Sequence, residues 1–340
     1  MDTEHRTVLG DPLLPEEPTT ASILSGSPLL SRFARGAFWS FTGAMLSRRR
    51  TFLSAIRVAR LLGREDFGAL AIIQSTVGLF GAFAGFGLGI TSTKHIAEFR
   101  HTDPQRAGRI LALSSMVAWV TGGIMTVVSV IVSPWLATHT LAAPQLGGLL
   151  RVGSLLLLLG GVNGAQNGAL AGFESFKKLA GINFAVGVLS LPLMVGGVYL
   201  GGLEGAMWGL VASQGIACLI SALTLKIEAA RSRIKVDYAG CGSEKGILWN
   251  FSVPSVLSTL VIGITGWAAG AVMVNQSGGY SEMGVFSAAM RIKQLPETAI
   301  GMFMAPILPI LSDQYGRRDM AGYGKTVRLA FVLSMLFMIP

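Results

Sequence analysis

The chain has 340 residues, 51% of them hydrophobic and only 13% charged, with a mean hydropathy of +0.58. Soluble domains carry roughly a quarter charged residues, so an ordinary soluble enzyme is excluded. The net charge of +9 does not point to nucleic acid, because excess Lys and Arg in so apolar a chain mark the cytoplasmic loops of a membrane protein.

Uncharged runs cover Phe67–Thr93 (27 residues), Ile110–Leu150 (41), Val152–Phe173 (22), Leu179–Leu203 (25), Gly205–Leu225 (21) and Gly246–Ser281 (36). A membrane-spanning helix needs about 20 residues, whereas barrel strands are shorter and alternate. The fold class is therefore an all-α polytopic membrane protein. In chain order, residues 1–35 are polar, Pro-bearing and without an apolar signal core, and read as a disordered cytoplasmic tail. Helices are predicted near 36–60, 67–92, 109–132, 146–172, 179–201 and 204–225, which make one unit, 36–225. Residues 226–245 form a cytoplasmic linker, and 246–340 hold helices near 246–273 and 283–311 and the start of a ninth near 327.

Lys and Arg set the orientation. Lys94, Arg100, Arg106 and Arg109 follow helix two, and Lys177 and Lys178 follow helix four. Lys226, Arg231, Arg233, Lys235 and Lys245 follow helix six, and Arg317, Arg318, Lys325 and Arg328 follow helix eight. The alternate loops near 133–145, 202–203 and 274–282 hold none, and only Arg60 and Arg64 break the pattern. The N-terminus is thus expected on the cytoplasmic side of the inner membrane. The last run, Leu329–Pro340, is 12 residues and too short to cross; it reads as the start of a helix in a chain cut short.

A weak repeat pairs Phe67-Gly68-Ala69-Leu70 with Met283-Gly284-Val285-Phe286, 216 residues and six helices apart. An even number of intervening helices gives the copies one orientation, as in transporters whose halves are related by an axis along the membrane normal. Glycines recur every four residues at Gly81, Gly85 and Gly89, at Gly160, Gly164, Gly168 and Gly172, and at Gly197, Gly201, Gly205 and Gly209. That spacing lays Gly along one helix stripe for close packing or for sliding. Helix four adds the polar stripe Asn163, Gln166 and Asn167, which either bonds a neighbouring helix or lines a wet cavity. Gln74, Asn183 and Gln214 are single polar residues and read as interhelical hydrogen bonds.

Charged residues inside the spans are mostly cationic. Helix one carries Arg48, Arg49, Arg50 and Arg57, and helix eight carries Arg291 and Lys293 with Glu297 one turn on. Each Arg at a helix centre costs about 2.5–3.5 kcal/mol on insertion scales. Either snorkelling or a break in helix one relieves that cost, or the residues line a cationic cavity; Arg suits bidentate phosphate contacts. Lys293 and Glu297 suit an internal pair, which leaves Arg291 as the better ligand candidate. The interiors of helices one to seven lack acidic residues, which speaks against a cation-exporting drug antiporter. No HExxH, GxSxG or P-loop pattern is present, so the chain does not read as an enzyme. Two cysteines and four histidines at unrelated positions suggest no metal site or disulfide framework, and no cofactor is expected.

Several segments together resemble the polysaccharide (O-antigen-type) flippases of the multidrug/oligosaccharidyl-lipid/polysaccharide exporter superfamily. They are Gly36-Ala37-Phe38-Trp39-Ser40, Ala59-Arg60-Leu61-Leu62-Gly63-Arg64-Glu65-Asp66-Phe67-Gly68, Gly87-Leu88-Gly89-Ile90, Trp249-Asn250-Phe251-Ser252-Val253-Pro254, the Met283-Gly284 segment and Ala305-Pro306-Ile307-Leu308-Pro309. The resemblance implies a two-lobe exporter fold, with a six-helix N-lobe and an incomplete C-lobe here. It implies alternating access and export of a polyprenyl-pyrophosphate-linked oligosaccharide, with a cationic cavity for the pyrophosphate. That role carries over to Arg48, Arg50 and Arg291, with Asn163, Gln166 and Asn167 lining the cavity. The partners implied are the lipid-linked oligosaccharide, the bilayer, and a polysaccharide polymerase with its export machinery. Arg49, Arg50 and Arg57 depart from the mostly apolar first helix of that family. The rival readings are a small-molecule efflux antiporter on the same scaffold and a non-transporting remnant.

Overall fold

The computed structural model describes residues 28–247, 252–304 and 306–338, and these are helical nearly throughout. Much of the expected tail, up to residue 27, lies outside the described residues; helix already begins at Pro28. Helix α1 spans Pro28–Gly85 and breaks at Gly63, whose φ of 78° suits a residue without a Cβ. The break divides α1 into the first span and most of the second. The second span ends in α2, Leu88–Phe99, after left-handed Phe86 and Gly87.

Helix α3, Pro104–Trp135, opens on Asp103, whose carboxylate accepts the Arg106 amide at 3.0 Å, with proline in the first turn. A π turn, Leu136–Thr140, and a short 3-10 turn, Pro144–Leu146, lead to α4, Gly147–Gly172. Helix α5, Phe176–Arg231, folds back at Gly201 and Gly202 and so crosses twice. Its two arms run against each other: a Cβ on Gly197 would overlap the Gly205 carbonyl, one on Gly205 the Gly197 carbonyl, and one on Gly209 the Leu193 carbonyl. The glycine stripe across this turn is a packing seam.

The six spans form the expected N-lobe. The long apolar helical stretches are Ile56–Phe99, Pro104–Thr140, Pro144–Gly172 and the doubled Phe176–Arg231. Glycines also join α4 to the second span, since a Cβ on Gly161, Gly168 or Gly172 would press on the backbone of Ala84, Gly89 or Thr93. The linker is pinned to the start of α3. Buried Glu244 accepts Arg106 at 3.0 Å and Arg109 at 3.1 Å, and Gly108 lies against the Lys235 carbonyl.

The second lobe contributes α6, Val253–Val274, α7, Gly279–Met304, α8, Ile307–Gly316, and α9, Met320–Met338. Two expectations are corrected here. The predicted helix 283–311 is two helices, because Pro306 cannot continue a helical ladder and caps α8 instead. The ninth helix begins at Met320, so it is 19 residues long and takes in Lys325 and Arg328.

The faint repeat has a physical counterpart. A Cβ on Gly68 would overlap the Tyr280 carbonyl, and a Cβ on Gly284 would overlap the Arg64 carbonyl. Tyr280 and Gly284 stand 216 positions after Arg64 and Gly68. Residue i of one copy thus meets residue j of the other and the reverse, the reciprocity of a two-fold contact. Overpacking costs about 1–3 kcal/mol where neighbours can shift, and here the neighbours are backbone. Gly68→Val and Gly284→Val are each expected to cut the monodisperse yield on size exclusion severely. Gly78→Ala, with open space around the new methyl, is expected to leave it unchanged.

Candidate functional site

Where α1 and α7 meet, they enclose one wall of a cavity of about 390 Å³ between the lobes, within the usual range for small-ligand sites, ~300–1,000 Å³. Val58, Phe67, Leu70, Leu156, Met194 and Leu210 supply its apolar lining, and Gln74, Ser213, Gln214 and Arg291 its polar groups. No Asp or Glu lines it among the described residues. Arg291 Nη2 donates to Gln74 Oε1 at 3.2 Å, and its guanidinium carbon stands 5.7 Å from the centre of the Phe67 ring. Arg291 forms no ion pair among the described residues. A guanidinium has five N–H donors, and among the described residues Gln74 takes one of them.

The polar residues of helix four go elsewhere. Asn163 Nδ2 donates to Ser221 Oγ at 3.1 Å, Ser221 Oγ to Asn167 Oδ1 at 3.2 Å, and Asn167 Nδ2 to Asn163 Oδ1 at 2.9 Å. This closed ring ties α4 to the second arm of α5, and its two asparagines line neither the Arg291 cavity nor the groove described next. Gln166 lines a separate groove between α3 and α5. The side chains of Arg48, Arg49, Arg50 and Glu297 lie outside the described residues. Arg57, Arg60 and Arg64 are exposed. Gln74 is the interhelical partner it was expected to be, now across the lobes, whereas Gln214 faces the cavity. Ser213 gave no signal in the sequence: one hydroxyl in an apolar run is unremarkable.

The lobes also touch above and below the cavity. At the repeat end, Tyr280 Oη donates to the Leu141 carbonyl and Asn275 Nδ2 to the Thr140 carbonyl, both at 2.7 Å. At mid-depth Trp267 Nε1 donates to Thr76 Oγ1 at 3.0 Å. At the basic end, the Thr91 and Ser252 hydroxyls are 2.8 Å apart. There Arg100 reaches Glu174 at 2.7 Å, the Gly172 carbonyl at 3.0 Å and Asp313 at 3.9 Å, while Arg317 meets Asp313 at 3.0 Å. Asp313 is 1% exposed, and a Cβ on Gly316 would overlap the Glu98 carbonyl. Partial burial, and then the guanidinium groups of Arg100 and Arg317, hold His101 below the ordinary imidazole value. The stabilisation from its neutral ring is present above that ordinary value and is lost as pH falls through the lowered one.

The fold is that of a two-lobe transporter. A multidrug transporter of the MATE type in complex with R6G superposes with a TM-score of 0.75 at 15% identity, covering 96% of this chain and 74% of that one. An outward-facing MATE family transporter of the MOP superfamily gives 0.70 at 20%, covering 94% and 73%. A MOP superfamily transporter from Pyrococcus furiosus, described as having a binding pocket of reverse polarity, gives 0.69 at 20%, covering 94% and 73%. Within that fold class, the family model described as "Polysaccharide biosynthesis protein" matches residues 57–340, and the chain belongs to that family. It is also similar to the "Lipid III flippase" of Escherichia coli K12, with 23% identity over 314 residues, 90% of this chain and 72% of that protein. The protein of the same name from Shigella flexneri matches equally.

The ionic cluster at the basic end gives a direct test. Removing one partner of a buried pair costs about 3–5 kcal/mol. Asp313→Ala and Arg100→Ala are each expected to lower the Tm in detergent, and the double variant by less than their sum. Additive shifts would show that the groups are not coupled.

Proposed function

We propose that the protein exports a polyprenyl-pyrophosphate-linked oligosaccharide across the inner membrane for polysaccharide assembly, with its N-terminus in the cytoplasm. The observation that carries the reading is Arg291, a cation that forms no ion pair among the described residues and lines a cavity between two lobes whose described lining residues include no Asp or Glu. A cation inside a membrane protein is retained where it serves an anionic group or an ion path. A pyrophosphate head meets that requirement, and Gln74, Ser213 and Gln214 offer hydrogen bonds to the adjoining sugar. Two lobes packed about a mid-depth cavity are the architecture that alternating access needs. The family and the similarity to a lipid III flippase support the same substrate class.

The polyprenyl tail stays in the bilayer while the pyrophosphate and its glycan pass through the cavity. Arg291 would hold the pyrophosphate by charge-assisted bonds, and Arg48 and Arg50 would extend the cationic surface. Energy from these bonds must be regained on release, so the site has to bind modestly. The protein supplies position and field and makes or breaks no bond. A polysaccharide polymerase would take the exported unit on the far side. Efflux of cationic drugs is the weaker reading, because such cargo calls for a carboxylate and none is among the described residues that line the cavity.

In cells lacking the gene, completed lipid-linked repeat units should accumulate while surface polysaccharide falls, as read by mass spectrometry of the lipid extract. Complementation with Arg291→Ala should restore export to less than about a tenth of normal, since a charged hydrogen bond is worth ~1.5–3 kcal/mol. Arg291→Lys should be intermediate. Full export by Arg291→Ala at normal expression would overturn the site.

A further inference from the structure

Away from the lobe interface, α3 and the second arm of α5 stand apart over α4, and the gap is a groove of about 680 Å³. Its walls are apolar: Leu111 and Trp119 from α3, Leu159 and Val162 from α4, Leu219 and Ala222 from α5. Met116, Trp119, Val120, Leu219 and Leu223 are exposed around it, at the depth where exposed side chains meet lipid. Gln166 and Cys218 lie at its inner end, and Lys226 and Tyr238 at its mouth.

Length and charge identify the occupant. From Gly215 to Lys226 the groove follows eleven helical steps, or about 16 Å. The hydrocarbon depth of one leaflet is about 15 Å, half of ~30 Å. An acyl chain entering beside Lys226 therefore fills the groove to its end. The mouth is cationic. Lys226 lines it, Arg231, Arg233 and Lys235 are exposed in the segment that follows in sequence, Glu228 is held by Lys178, and Asp237 accepts the Ala239 and Gly240 amides. Basic pockets between membrane helices at such a surface bind anionic headgroups.

We infer that this groove is a binding site for an anionic phospholipid of the leaflet at the basic end, its acyl chain between α3 and α5 and its phosphate at Lys226. The site is separate from the Arg291 cavity and does not depend on the transport reading. A lipid wedged here braces α3, α4 and α5 together, so the lobe would move as one body.

The test is native mass spectrometry of the full chain in detergent, titrated with phosphatidylglycerol, phosphatidylcholine or undecaprenyl phosphate. Phosphatidylglycerol is expected to be retained at least five-fold better than phosphatidylcholine. Lys226→Glu, a change at an exposed side chain, is expected to erase that preference. Ala222→Trp should block retention of one lipid by filling the groove, and Arg291→Ala should leave retention unchanged. Equal retention of the two phospholipids, or an unaltered preference in Lys226→Glu, would overturn the assignment. Displacement of phosphatidylglycerol by equimolar undecaprenyl phosphate would also overturn it, and would make the groove a seat for the cargo's own tail.

Discussion

The close approach of Gly68 and Gly284 sets the rest of the molecule. No side chain fits between the two backbones, so α1 and α7 meet at one register only. From that contact α1 runs on to Gln74 and α7 to Arg291, about one and a half to two turns away on each helix, and the two side chains reach each other across the lobes. A one-residue slip would turn Arg291 by about 100° around its helix axis, away from Gln74 and Phe67. The same joint places Tyr280 against the Leu141 carbonyl.

The cavity is energetically uneven by construction. A cation at mid-membrane costs about 2.5–3.5 kcal/mol. One hydrogen bond from a charged donor returns roughly 1.5–3 kcal/mol, and an aromatic face about 0.5–2 kcal/mol. The two together sustain Arg291 with little surplus and, among the described residues, without a carboxylate to neutralise it. Arg291 is therefore a charge that is tolerated without an ion pair among the described residues. The basic end is built differently: there Arg100 and Arg317 converge on buried Asp313, and each charge has its counterpart. Arg100 and Arg317 thus hold the lobes together through Asp313, whereas Arg291 lines the cavity between them.

Much of this was legible in the sequence. The order of the early helices and the 216-residue offset follow from run length, charge and glycine spacing, whereas several ends lie six to eight residues out, as at Pro28, Phe99 and Arg231. Arg291 stood out because a charge in an apolar helix is costly. The polar stripe of helix four was ambiguous for a physical reason: asparagine satisfied by a neighbour and asparagine facing water look alike until the neighbour is known, and Ser221 lies 54 positions beyond Asn167. Gln74 as the partner of Arg291, 217 positions away, and the cluster at Asp313 are likewise tertiary facts that no local pattern encodes. The break before α8 was signalled by Pro306, but the apolar run on both sides of it hid the signal.

The central claim is that Arg291 and its cavity carry an anionic lipid head across the membrane. Its most direct test is a flip assay with purified protein in liposomes loaded with a fluorescent polyprenyl-pyrophosphate oligosaccharide, quenched from outside with dithionite. Wild-type protein should expose the inner pool to quencher, and Arg291→Ala, equally folded and equally incorporated, should leave about half the label protected, as in protein-free liposomes. Equal loss of the protected pool in the variant would contradict the account.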